Sequence, residues 1–104
     1  MVIAEVSIFP LGTGEPSVSE YVAAAVKELE ASGLRCTLGP MGTTIEAETT
    51  PEEAYAAIGR AQAAVLELGV GRTYTVVKMD ERRDVEGRST EDMMRSVRES
   101  SDAR

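Results

Sequence analysis

Apolar and polar positions alternate from Val2 to Phe9, with Ala4, Val6 and Ile8 on one side and Glu5, Ser7 and Phe9 on the other. That period of two belongs to a strand half buried on one face. The run Pro10-Leu11-Gly12-Thr13-Gly14-Glu15-Pro16 ends it, because proline and glycine clusters do not continue a ladder. The period then changes. Val18, Tyr21, Val22, Ala25, Val26 and Leu29 recur at helical intervals and form one stripe. Ser17 or Ser19 can cap this helix, Ser17 standing in capping-box spacing to Glu20, and Gly33 closes it.

Leu34 to Leu38 is a second strand, with Leu34, Cys36 and Leu38 on one face, and Gly39-Pro40-Met41-Gly42 turns the chain. Thr43 to Thr50 is a third strand, with Thr43, Ile45 and Ala47 on one face and Thr44, Glu46 and Glu48 on the other. Thr50 caps a second helix with Pro51 at its first position and Glu52-Glu53 at its positive end. Ala54, Ile58, Ala61, Val65 and Leu68 are its buried stripe, and Gly69 and Gly71 end it. A fourth strand spans about 72–80, followed by a polar loop, a short helical segment from Ser89 to about Val97, and a frayed tail. The order β-α-β-β-α-β plus a C-terminal helix predicts an α+β, ferredoxin-like sandwich: a four-stranded antiparallel sheet with two helices on one face. Right-handed crossovers put the first and third strands in the centre.

Composition narrows the picture. At 104 residues, 42% of them hydrophobic, the chain has room for one domain over 1–104. With one phenylalanine, three tyrosines and no tryptophan, its core is thin, and self-association would bury more surface. The net charge of -7 argues against nucleic acid, and the basic cluster Arg82, Arg83 and Arg88 is broken up by Asp80, Glu81, Asp84 and Glu86. Asp80 is expected to pair locally with Arg82. No histidine is present, which removes the commonest metal ligand and general base. Cys36 stands alone and reads as a small core residue rather than a nucleophile. No signal peptide is apparent at the start, and no run approaches the ~18 apolar residues of a membrane span, so the cytoplasm is the expected location.

The bare face of such a sheet would carry Glu5, Ser7, Phe9, Arg35, Thr37, Thr44, Glu46, Glu48, Tyr74, Val76 and Lys78. Glu5, Glu46 and Glu48 fall close together on the two central strands, where like charges need a cationic or hydrogen-bonding partner. Lys78 and Arg35 are internal candidates, and a bound ligand is the other. Gly12-Thr13-Gly14 lacks the Gly-Lys-Ser/Thr ending of a phosphate loop and reads as a connection. Met93-Met94 reads as a helix surface packed on a neighbouring subunit.

The segments Val6-Ser7-Ile8-Phe9-Pro10-Leu11-Gly12-Thr13-Gly14, Leu38-Gly39-Pro40-Met41-Gly42-Thr43-Thr44-Ile45-Glu46-Ala47-Glu48 and Val77-Lys78-Met79-Asp80-Glu81-Arg82 resemble those of the small, ferredoxin-like thiamine-binding proteins, from Val2 to about Val97. The resemblance implies a homo-oligomer, dimers pairing into tetramers, that binds thiamine or its hydroxymethylpyrimidine half without chemistry on it. It implies no cofactor and no metal. Carried over by position, Ser7, Thr43, Thr44 and Glu46 are the ligand-contacting residues, with Gly12 and Thr13 behind them. Where the family is expected to have glycine between the two glutamates, this chain has Ala47.

The chemistry of the residues is compatible. Glu46 or Glu48 can accept from an exocyclic amine, Ser7 or Thr44 can serve a ring nitrogen, and Phe9 or Tyr74 can stack on the ring. An acidic site suits the thiazolium cation and not a pyrophosphate, so the free vitamin should be preferred. The competing expectation is a structural or regulatory interaction protein whose polar face is only an interface. An enzyme is disfavoured, since no nucleophile–base pair is recognisable.

Overall fold

The computed structural model describes residues 1–84 and 89–102. Its elements are β1 (Val2–Leu11), α1 (Ser19–Ala31), β2 (Arg35–Leu38), β3 (Thr43–Ala47), α2 (Pro51–Leu66), β4 (Arg72–Glu81) and α3 (Thr90–Asp102). The four strands form one antiparallel sheet in the order β2-β3-β1-β4, the ferredoxin-like arrangement expected from the sequence. Arg88 and Glu86, part of the interrupted charge cluster, lie outside the described residues.

The core lies between the sheet and the helix pair α1/α2. Ala4, Val6 and Ile45 meet Ala25 and Leu29 of α1 and Ile58, Ala61 and Val65 of α2, all buried. Thr75, on the same face of β4, donates its hydroxyl to Gln62 of α2 at 2.6 Å, so this part-buried polar pair is satisfied. Cys36 is half-buried beside this core, and burial with the nearby Glu30 charge pushes its thiol pKa up, which suits a packed side chain and not a nucleophile.

Local signals set most boundaries. Thr50 caps α2 by accepting from the Glu53 amide at 3.2 Å, with Pro51 in the first turn. α1 ends in a Schellman closure: Gly33, at φ +84°, donates to the Glu30 carbonyl and Leu34 to that of Leu29.

Several local expectations are corrected. β1 continues through Pro10 to Leu11, and β3 stops at Ala47, short of Thr50. The Ser17–Glu20 capping box does not form; α1 is preceded by Val18, whose carbonyl takes the first amides while no side chain caps the end. α2 stops at Leu66, leaving Leu68 partly exposed, and Val70 enters the core instead. Leu38 lies on the helix-facing side of the sheet opposite Thr43 but is 65% exposed. Arg82 pairs with Asp84, two residues on in a tight bend, through Nε–Oδ1 at 3.0 Å and Nη2–Oδ2 at 2.5 Å, while Asp80 contributes only a lesser charge attraction without direct contact. The last helix runs on to Asp102, past the expected end near Val97.

Candidate functional site

Residues opposed in an antiparallel ladder share a face, so the register orders the bare side of the sheet into rows. Arg35, Glu46, Ile3 and Asp80 form one row, and Thr37, Thr44, Glu5 and Lys78 the next. Further along β1, Ser7 stands opposite Val76 and Phe9 opposite Tyr74. Phe9 and Tyr74 are 47% and 57% exposed. Among the described residues neither Lys78 nor Arg35 comes within ion-pair distance of the glutamate it faces.

A cavity of about 170 Å³ opens where three elements converge: the second half of β1, the 39–42 turn and the inner face of α1. Val6, Ile8, Val22, Ala25 and Leu29 make its apolar floor, and the turn supplies main-chain polar groups at one side. Phe9, Val18, Leu38 and Met41 also line it and are all substantially exposed, Met41 at 82%.

The turn is held in place by two hydrogen bonds. The Gly39 amide donates to the Gly42 carbonyl, and the Ser7 hydroxyl donates to the Met41 carbonyl, both at 2.9 Å. Gly42 lies so close to β1 that an added Cβ would meet Ser7 Oγ at 2.8 Å and Glu5 Cγ at 3.2 Å. This contact brings the Glu5 side chain alongside the turn that walls the cavity.

The structure divides the residues singled out in the sequence. Ser7, Phe9 and Thr43 line the cavity, Thr43 being a buried residue of the helix-facing side. Thr44 lies on the bare face beside Glu5. Glu46, on the same face and only 9% exposed, is covered by the start of α3, whose Thr90 amide donates to its carboxylate at 3.4 Å. The neighbouring Thr90 hydroxyl is buried with no hydrogen-bond partner among the described residues. Glu48 lies just past β3 and meets the N-terminal ammonium at 3.3 Å. Gly12 and Thr13 sit in the loop after β1 and do not line the cavity; Thr13 bonds locally to Glu15. The methyl of Ala47 packs against the core on the helix side, away from the bare face.

Val18, Val22 and Leu38 were legible only as core positions. That they border a cavity depends on where α1 ends above the sheet, which no local pattern records. Met41 and Gly42 carried a signal, since a glycine beside a turn methionine marks a close backbone approach. Among the described residues no group of three or more His, Cys, Asp or Glu side chains could hold a metal, and no helix is long and apolar enough to cross a membrane.

The sequence model of the family described as "Thiamine-binding protein" matches residues 4–98. A UPF0045 protein of Methanothermobacter thermautotrophicus is 43% identical over 99 residues, covering 95% of this chain and 98% of that protein. The UPF0045 protein YqgV of Bacillus subtilis is 42% identical over 88 residues, covering 81% and 83%. Among solved structures, a hypothetical protein of Methanocaldococcus jannaschii superposes with a TM-score of 0.82 at 37% identity, covering 94% of this chain and 96% of that one.

Proposed function

The chain belongs to the family of thiamine-binding proteins, and from that premise we propose that it is a non-enzymatic binding protein for thiamine or its hydroxymethylpyrimidine half. The observation that carries this reading is the cavity. It is bounded by the first two of the three family-like segments, and it is apolar with a few convergent polar groups, as small-molecule sites are. Its volume of about 170 Å³ is that of a single six-membered ring, since an apolar cavity of about 150 Å³ takes up benzene.

A ring of that size fills the cavity, with Phe9, Val22 and Thr43 among the residues around it. The thiazolium, too large to enter with it, projects past Met41 and Leu38. Glu5 lies alongside the 39–42 turn, with Thr44 beside it on the bare side and the engaged Glu46 and Glu48 farther along and just past β3, so a cation is favoured and a pyrophosphate repelled. Storage, delivery or sensing fits a site of this kind.

Self-association belongs to the same proposal. Met94 and Val97 of α3 are 55% and 67% exposed, and Phe9, Tyr74 and Val76 form an apolar strip on the bare face. Covering both in a homotetramer, a dimer of dimers, would bury apolar surface that one copy leaves in water. This surface also favours the second reading, an interaction protein without a thiamine-type ligand.

A thermal-shift titration separates the two. Free thiamine and hydroxymethylpyrimidine are each expected to stabilise the protein by about 2.7 kcal/mol at a hundredfold excess over Kd, and thiamine pyrophosphate much less. Ala25→Leu, which fills the cavity from α1, should abolish the response to both while leaving the protein folded. No shift with any of the three compounds would leave the interaction protein as the surviving reading.

A further inference from the structure

A pocket on one face of a strand is lined by every second residue, because successive side chains point to opposite faces. This cavity is lined by Val6, Ser7, Ile8, Phe9 and Pro10 in succession, so it abuts the edge of β1 and not merely one of its faces. That edge has lost its neighbouring strand. β3 pairs with β1 only from Val2 to Val6, while β4 continues along the opposite edge as far as Leu11. No turn or loop amide among the described residues takes the place of β3 beside residues 7–11. Main-chain N–H and C=O groups bordering an apolar cavity are obligatory hydrogen-bonding groups, and Pro10 brings only an acceptor.

Of the polar side chains nearby, Ser7 and Glu46 are engaged elsewhere, and Thr43 brings a single hydroxyl, which cannot by itself match both a ring nitrogen and an adjacent amine. Ser7 donates its hydroxyl to the Met41 carbonyl and so positions the turn. Glu46 lies three residues beyond Thr43, roughly 10 Å along the strand, and its carboxylate already accepts the Thr90 amide.

Resting on the thiamine-type reading, we propose that the ring is recognised by the exposed main chain of β1 between Ser7 and Pro10, in the place where β3 would have continued. In an extended strand one residue turns its N–H and C=O to the same side. An aromatic ring with a nitrogen acceptor next to an exocyclic amine presents the complementary pair. The site therefore selects flat heteroaromatic rings with an amidine-like edge, and it rejects hydrocarbon rings of the same size. Selectivity of this origin depends on hydrogen bonds that a methyl group cannot make, and not on a particular side chain.

The test compares 4-amino-5-hydroxymethyl-2-methylpyrimidine with the isostere carrying methyl in place of the amine, using the full chain. Binding is followed by thermal shift, and amide hydrogen exchange is followed residue by residue. The amino ring is expected to slow exchange at Ile8 or Phe9 and to bind at least about tenfold tighter than the isostere, as loss of one or two hydrogen bonds requires. If both rings bind alike, or the amino ring binds without protecting either amide, main-chain recognition is wrong although the cavity site stands. Discrimination that disappears in Glu46→Gln would assign the amine to that carboxylate and overturn the proposal as well. If neither ring binds, the thiamine-type reading itself has failed.

Discussion

A β-carbon built on Gly42 would stand 2.8 Å from the Ser7 hydroxyl and 3.3 Å from the Val6 carbonyl oxygen. The backbone there has no positive φ, so the requirement for glycine is one of space and not of conformation. Gly42→Ala should therefore destabilise by about 1–3 kcal/mol, the range for overpacking a close contact. Adding Ser7→Ala removes the nearest obstacle and should recover part of that loss, while the Val6 carbonyl contact persists. Urea unfolding of the two single variants and the double variant measures the coupling; strict additivity would mean that the two residues do not touch. The Gly-Pro-Met-Gly-Thr run pointed to a turn, but the residue that the turn presses against became visible only once β1 and β3 were in register.

At the scale of elements, the two packed helices begin differently. α2 has the Thr50 side chain on the Glu53 amide, whereas α1 has Val18 at the equivalent place and no side-chain cap. Thr50→Ala should lower stability by about 1 kcal/mol, and Ser17→Ala should change it very little. Denaturation midpoints with unchanged slopes would establish both. The uncapped end of α1 has a use, because Val18 lines the cavity where a polar cap would have stood in an apolar wall. A serine in capping-box spacing is a strong local signal, yet the helix starts one residue later, with Val18 at the cap. α3, by contrast, does have a reciprocal box: Ser89 and Asp92 exchange side-chain to main-chain hydrogen bonds at 3.0 and 3.2 Å.

At the scale of the whole molecule, the principal extents are 49, 29 and 17 Å, and the Cα radius of gyration is 15.3 Å. A compact chain of this length would be near 13 Å. α3 accounts for the difference: it rests on Glu46 at its first turn and, among the described residues, makes no substantial contact with any other element. Its apolar residues Met94 and Val97 are thus directed away from their own core. Val97→Lys should shift the protein toward smaller species in sedimentation velocity without lowering its helix content appreciably; an unchanged distribution would mean that α3 is not part of an interface. The order of elements, the faces of each strand and the start of α2 were determined by the sequence by itself, because periodicity, caps and turn residues act over a few positions. Only the tertiary structure decided that β3 releases β1 after Val6, that a ring-sized cavity lies beside that free edge, and that Glu46 is covered by α3. Those features depend on register and on contacts between residues distant in the chain, such as Ser7 with Met41 and Glu46 with Thr90, which no local pattern encodes.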